Sequence, residues 1–171
     1  MKIGITGCAG RMGQMLVREV LASDSCELAG GTEDPGHIML GKDVAETAGL
    51  KACGLTIDDD SNALFLASDV IIDFTIATAT DLHLSLAQTH ETSLILGTTG
   101  HSQSQLASIE LAAANILIVK AMNFSVGINL LFALTKQLAK TLDDNFDIEI
   151  IEMHHKNKID APSGTALGLA Q

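Results

Sequence analysis

Short, nearly unbroken apolar runs recur along the first two thirds of the chain, at Lys2–Thr6, Cys26–Gly30, Asp69–Phe74, Ser93–Leu96 and Ile116–Lys120. Runs such as Val70-Ile71-Ile72 lack the polar alternation of a strand with one wet face, so they predict parallel strands covered on both sides. Between several of them apolar residues return at helical spacing. Met12, Met15, Leu16, Val20 and Leu21 share one face between Gly10 and Ser23, and further helices are predicted near Thr80–Thr89 and Ser102–Ala114, where Ser102 or Ser104 can serve as N-cap. This βαβ rhythm predicts an α/β fold, a Rossmann-type doubly wound parallel sheet. After Lys120 the pattern changes: a polar break at Asn123–Gly127 leads into a longer helix, Ile128–Leu142, and then a strand, Phe146–Met153. The expected division is a dinucleotide-binding domain over 1–122 and the start of a smaller α+β substrate and oligomerisation domain over 123–171.

Composition acts mainly by exclusion. With 171 residues, 47% of them hydrophobic, the chain can bury a core without covalent staples. A net charge of −11 with only ten Lys and Arg, and no Trp or Tyr, argues against a nucleic-acid partner, which needs basic and stacking surfaces. No apolar run approaches the ~20 residues of a membrane span. Met1-Lys2 leads straight into Ile3-Gly4-Ile5 without a secretory leader, so a cytoplasmic protein with no membrane partner is expected. Cys8, Cys26 and Cys53 are odd in number and lack CxxC spacing, which suggests neither a disulfide framework nor a zinc site and predicts reduced, small apolar side chains.

Gly7-Cys8-Ala9-Gly10-Arg11-Met12-Gly13 follows a predicted strand and opens a predicted helix, the context in which a glycine loop cradles a pyrophosphate. The GxxGxxG spacing is weak evidence alone, and a structural turn is its rival. Glu33 strengthens it, standing just beyond the second strand where a carboxylate accepts from adenosine ribose hydroxyls. Asp34 and Pro35 follow, with no neighbouring Arg for a 2′-phosphate, so NADH is favoured over NADPH unless another loop supplies a cation. Gly97-Thr98-Thr99-Gly100 follows the strand Ser93–Leu96, at the carboxyl edge where open α/β sheets bind ligands, so its backbone and hydroxyls can hold a nicotinamide or form an ordinary turn.

The sharpest signal is cationic. His154, His155, Lys156 and Lys158 lie within five residues of an otherwise acidic chain, as a solvated loop or as an anion site. Pro162 suits a first helical turn, and Ser163-Gly164-Thr165 would present hydroxyls and N–H groups at the start of a helix over Ala166–Gln171, a carboxylate site. Histidine titrates near neutrality and serves as a proton donor after a modest shift. Metal ligation by His154 and His155 is disfavoured, because neighbours on a strand face opposite ways and no further ligand stands at metal spacing, so no metal is expected.

Together, GCAGRMG at 7–13, GTTG at 97–100, AMNFSVGIN at 121–129 and EMHHKNKIDAPSGTA at 152–166 resemble, in order, the signature segments of dihydrodipicolinate reductases. The resemblance implies NAD(P)H-dependent reduction of a small cyclic dicarboxylate to tetrahydrodipicolinate in lysine and diaminopimelate synthesis. It makes His154 the general acid and Lys158 the cation that works with it. His155, Ser163, Gly164 and Thr165 become substrate-carboxylate contacts. Gly7, Gly10, Arg11, Met12, Gly13, Glu33, Gly97, Thr98, Thr99, Asn123 and Phe124 fall on the cofactor side, with Phe74 and Thr75 on an adjoining loop. Met122 and the Ile76-Ala77 pair depart from the family pattern, which expects smaller residues or proline, and this bears on the shape of two loops. The resemblance also implies a homo-oligomer, a tetramer if the C-terminal part is complete. Family members continue beyond the SGTA helix, so a fragment, a disrupted gene product and a compact variant are all open. A helix as short as the final one is marginal unless docked.

Two rival readings stand beside this one. A nucleotide-binding module without turnover would bind NADH and show no reductase rate. Another amino-acid-pathway dehydrogenase, acting on aspartate semialdehyde or homoserine, would be supported by an active-site Cys, but Cys8 lies in the phosphate loop.

Overall fold

The computed structural model describes residues 1–142, 145–154, 156 and 161–170. Five strands, β1 (Lys2–Thr6), β2 (Glu27–Thr32), β3 (Val70–Asp73), β4 (Ser93–Leu96) and β5 (Ile118–Lys120), form one sheet in the order β2-β1-β3-β4-β5. Every pairing is parallel. The chain leaves β1 toward β2 on one side and returns to β3 on the other, so the loops after β1 and β3 flank the topological switch point, where such sheets take ligands.

Both faces are covered, as the apolar strands require. Ile3 and Ile5 of β1 join Val17 and Val20 of helix α1 (Arg11–Ala22), with Cys8, Leu28, Val44 and Ile57. On the opposite face Ile71, Leu94 and Leu96 pack with Leu64 and Phe65 of α3 (Ser61–Ala67), Leu84 and Ala87 of α4 (Thr80–Thr89), and Ile109 and Ala112 of α5 (Gln103–Ala112). A four-residue helix α2 (Val44–Thr47) is held by Asp43, whose carboxylate accepts from Ala45 N and Glu46 N. Ser102 caps α5 in a capping box: its Oγ accepts from Gln105 N at 3.2 Å and Gln105 Oε1 accepts from Ser102 N at 3.0 Å.

β1, β4 and α4 have their predicted bounds. β2 runs two residues past the predicted Gly30, because pairing with β1 continues to Thr6↔Thr32. Helices α2 and α3 were not predicted.

Residues Ala121–Gln171 form a second compact unit, apart from Met1–Lys120. Its long helix α6 (Val126–Thr141), capped by Ser125, begins two residues before the predicted Ile128 and buries none of its residues. Helix α7 (Gly164–Leu169) packs against it. The expected strand Phe146–Met153 is not formed. Its alternating sequence suits a strand, yet strand hydrogen bonds need a neighbour, and no strand lies in this unit among the described residues. Helix α7 also starts earlier than predicted. Ser163 is its N-cap, its Oγ accepting from Ala166 N at 3.0 Å, and Pro162 therefore precedes the cap instead of occupying the first turn.

Candidate functional site

In the first unit the glycine loop is the turn between β1 and α1. It closes on itself through Gly10 N donating to Gly7 O at 3.1 Å and is tied to β2 by Gly7 N donating to Thr32 O at 2.8 Å. Gly13 lets the helix lie on that turn, since a Cβ there would stand 2.6 Å from Cys8 Cα and 2.7 Å from its carbonyl carbon. Gly10 is an N-cap with no side-chain cap. The N–H groups of Arg11, Met12 and Gly13 consequently have no acceptor among the described residues, at the positive end of a twelve-residue helix.

Glu33 follows β2, and its Oε1 accepts from Ala9 N at 2.7 Å, while Oε2 makes no hydrogen bond among the described residues. Gly7, Gly10, Glu33, Phe74 and Thr75 all line one cleft of ≈ 240 Å³, together with Asp34. Among the described residues no Lys or Arg lines it. Cys8 lies beneath, fully buried, and burial followed by the nearby Glu33 charge pushes its thiol up to about 12.

The loops after β3 and β4 share an anchor that the sequence did not reveal. Asp73 is wholly buried at the end of β3. Its Oδ1 accepts from Thr75 N at 2.9 Å, Thr75 Oγ1 at 2.6 Å and Thr98 Oγ1 at 3.1 Å, and its Oδ2 pairs with His83 Nδ1 at 2.7 Å. Burial alone would raise this carboxyl. The hydrogen bond and charge of His83, with the two bonds from Thr75, outweigh burial and hold it below the ordinary Asp range. The Thr98 hydroxyl, expected to face a ligand, thus points inward, whereas Thr99 is exposed. Nearby, His101 Nε2 meets Thr80 Oγ1 at 3.0 Å, and burial followed by the Lys120 charge lowers its pKa, keeping the ring neutral at pH 7.

In the second unit Ser163 does not present a free N–H. Its N donates to Glu152 Oε1 at 2.8 Å and its hydroxyl donates to Glu152 Oε2, so a protein carboxylate engages the serine expected to take a substrate carboxylate. The same Oε2 lies 3.5 Å from His154 Nδ1. Glu152 therefore links the expected general acid to the expected anion contact, a role missed although the residue stood inside the quoted motif. Asn123, expected on the cofactor side, donates from Nδ2 to Thr165 Oγ1 at 3.3 Å and accepts from Ser125 N at 2.8 Å. Phe124 is exposed. The expectations for His155 and Lys158 lie outside the described residues. Among the described residues no group of three or more His, Cys, Asp or Glu is placed to hold a metal, and no helix is long and apolar enough to cross a membrane.

The family model described as Dihydrodipicolinate reductase, N-terminus, matches residues 1–124, and that described as Dihydrodipicolinate reductase, C-terminus, matches residues 127–171. The chain belongs to the dihydrodipicolinate reductase family. Within it, the 4-hydroxy-tetrahydrodipicolinate reductase of Magnetococcus marinus is 45% identical over 170 residues, covering 99% of this chain and 63% of the relative. That of Ruegeria pomeroyi is 48% identical over 169 residues, with the same shares. The chain thus spans 63% of the length of these curated relatives. A solved dihydrodipicolinate reductase from Paenisporosarcina sp. TG-14, with dipicolinate bound, superposes with a TM-score of 0.75 at 29% identity, over 99% of this chain and 64% of that one.

Proposed function

We propose that the protein is a nicotinamide-dependent reductase that converts 4-hydroxy-tetrahydrodipicolinate to tetrahydrodipicolinate, in lysine and diaminopimelate synthesis. One observation carries the reading: the three unpaired amides at the start of α1 share the glycine turn with Glu33, which keeps one carboxylate oxygen unbonded. The amides fit a pyrophosphate and the carboxylate oxygen fits a ribose diol. Glu33 and Asp34 line the cleft without a Lys or Arg, so a 2′-phosphate would meet two negative charges, and NADH is the preferred cofactor.

When bound, the nicotinamide supplies a hydride. The chain's own part is to hold the substrate and deliver a proton. His154 is the proton donor; Glu152 beside Nδ1 orients the ring, and the other ring nitrogen carries the proton. Lys158 stabilises the charge that develops as the proton moves, and His155, Ser163, Gly164 and Thr165 bind the substrate carboxylates. For Ser163 to do so, Glu152 must share or yield its hold on that residue. Residues 1–122 serve the nucleotide and 123–171 the dicarboxylate. The same reading has the enzyme work in the cytoplasm as a homo-oligomer, a tetramer if the C-terminal part is complete.

Titration with NADH and NADPH tests the first half, and the lack of Trp and Tyr leaves nicotinamide emission unobscured. NADH oxidation with freshly generated substrate tests the second. Binding with turnover supports the proposal. Binding without turnover favours a nucleotide module, and no binding of either nucleotide refutes both.

A further inference from the structure

Asp73 and His83 lie side by side at the carboxyl edge of the sheet, deeply buried, and neither is a ligand contact in the reading above. Asp73 is fully enclosed and His83 is 5% exposed, yet the pair sits where β3, α4 and the turn after β4 converge. A buried carboxylate is costly unless several donors meet it. Here three donors converge on one oxygen, two from Thr75 and one from Thr98, and His83 takes the other. The backbone adds a fifth tie, Gly97 N to Asp73 O at 2.8 Å. Phe74 fills the space beside Gly97, where a Cβ would come within 2.6 Å of its Cδ1. His83 is in turn held by Phe65, with ring centroids 5.7 Å apart. Its Nε2 makes no hydrogen bond among the described residues, and His83 contributes to the lining of the cleft that holds Gly7, Glu33 and Thr75.

We propose that Asp73 and His83 are a positioning pair that fixes the Phe74-Thr75 loop against the Gly97–Gly100 turn, and so sets how tightly the nicotinamide end of the cofactor is held. The inference rests on the nucleotide-binding reading. The carboxylate fastens both loops from behind without touching the ligand, and His83 fastens the carboxylate. Thr75 also lines the cleft beside Gly7 and Glu33, but a ligand half held by the amides at the start of α1 and by the Glu33 carboxylate depends little on this clamp. A half that extends past Thr75 to the Gly97 turn depends on it fully.

The experiment measures the affinity of the full 171-residue chain for NADH and for ADP-ribose, which lacks the nicotinamide, in the unmodified protein, Asp73→Asn, His83→Ala and His83→Gln. Asp73→Asn keeps the volume and removes the charge. It is expected to weaken NADH roughly tenfold, as expected for hydrogen bonds that lose a charged acceptor, and to leave ADP-ribose within about twofold. His83→Ala should show the same split, and His83→Gln, which returns an N–H toward the carboxylate, should recover most of it. Equal losses for both ligands, or no loss for either, overturn the positioning role. If Asp73→Asn does not fold, the two His83 variants decide the matter by the same split and rescue. Failure of the unmodified chain to bind either ligand refutes the nucleotide-binding reading itself, an outcome separate from the others.

Discussion

Replacing Gly13 by alanine sets two effects of opposite sign against each other. Alanine in a helix interior is favoured over glycine by about 1 kcal/mol. The added methyl, however, would stand 2.6 Å from Cys8 Cα and 2.7 Å from Cys8 C, and nearer still to Gly7 O. To reach an ordinary contact near 3.4 Å, the loop and the helix must part by at least about 0.8 Å for Cys8 Cα and by more for Gly7 O. These atoms are backbone and cannot rotate away, so the cost falls in the upper part of the overpacking range, about 2–3 kcal/mol. The clash wins, leaving a net loss of about 1–2 kcal/mol, which lowers the melting midpoint by about 2–8 °C for a chain of this size. Parting the helix from the turn also misaligns the Arg11, Met12 and Gly13 amides. Losing one charge-assisted bond to a phosphate, about 1.5–3 kcal/mol, weakens NADH by roughly 10–100-fold. Melting followed by far-ultraviolet circular dichroism and NADH titration read the two effects. Gly127→Ala is the control, because among the described residues its methyl would meet only Ser125 Oγ, at 3.8 Å. That helical site should gain a few tenths to about 1 kcal/mol. Unchanged stability and affinity in Gly13→Ala would refute the close-approach reasoning.

Two further outcomes follow from the titrating groups. With its thiol raised to about 12, Cys8 is almost wholly protonated at pH 8. A maleimide should therefore label exposed Cys53 in the folded protein and reach Cys8 only after unfolding; equal labelling rates by peptide mapping would contradict the burial of Cys8. Asp73 is depressed below its ordinary value of 3.8, so the stability it contributes is present above that pH and is lost as pH falls through its lower folded value. The difference in unfolding midpoint between the unmodified chain and Asp73→Asn should stay constant from about pH 7 to about pH 5. It should narrow progressively as the pH falls below about 5, and widening there would show the sign to be wrong.

The first unit was legible because its signals are local and redundant. Val70-Ile71-Ile72 has no polar face to spare, and Gly7–Gly13 sits between a strand and a helix that each announce themselves. Helix α3 was missed because seven residues are too few to display a helical period, although Asp60 caps it through Ala63 N at 2.9 Å. The Phe146–Met153 alternation misled for the opposite reason: its period is right, but a strand is a property of a pair. Asp73 and Glu152 escaped notice because each acts through partners at least ten residues away, apart from Thr75 and His154, and the adjacent sequence marks such a hub only faintly. A carboxylate directly after three β-branched residues was the available hint for Asp73.

Because β3 turns Ile71 to one side and Val70 and Ile72 to the other, the sheet is a partition between two separately filled interiors. A methylene removed from Leu94 leaves its void on one side of that partition, and one removed from Val17 leaves its void on the other. Losses from two such truncations should simply add, whereas a pair made on the same side should show coupling.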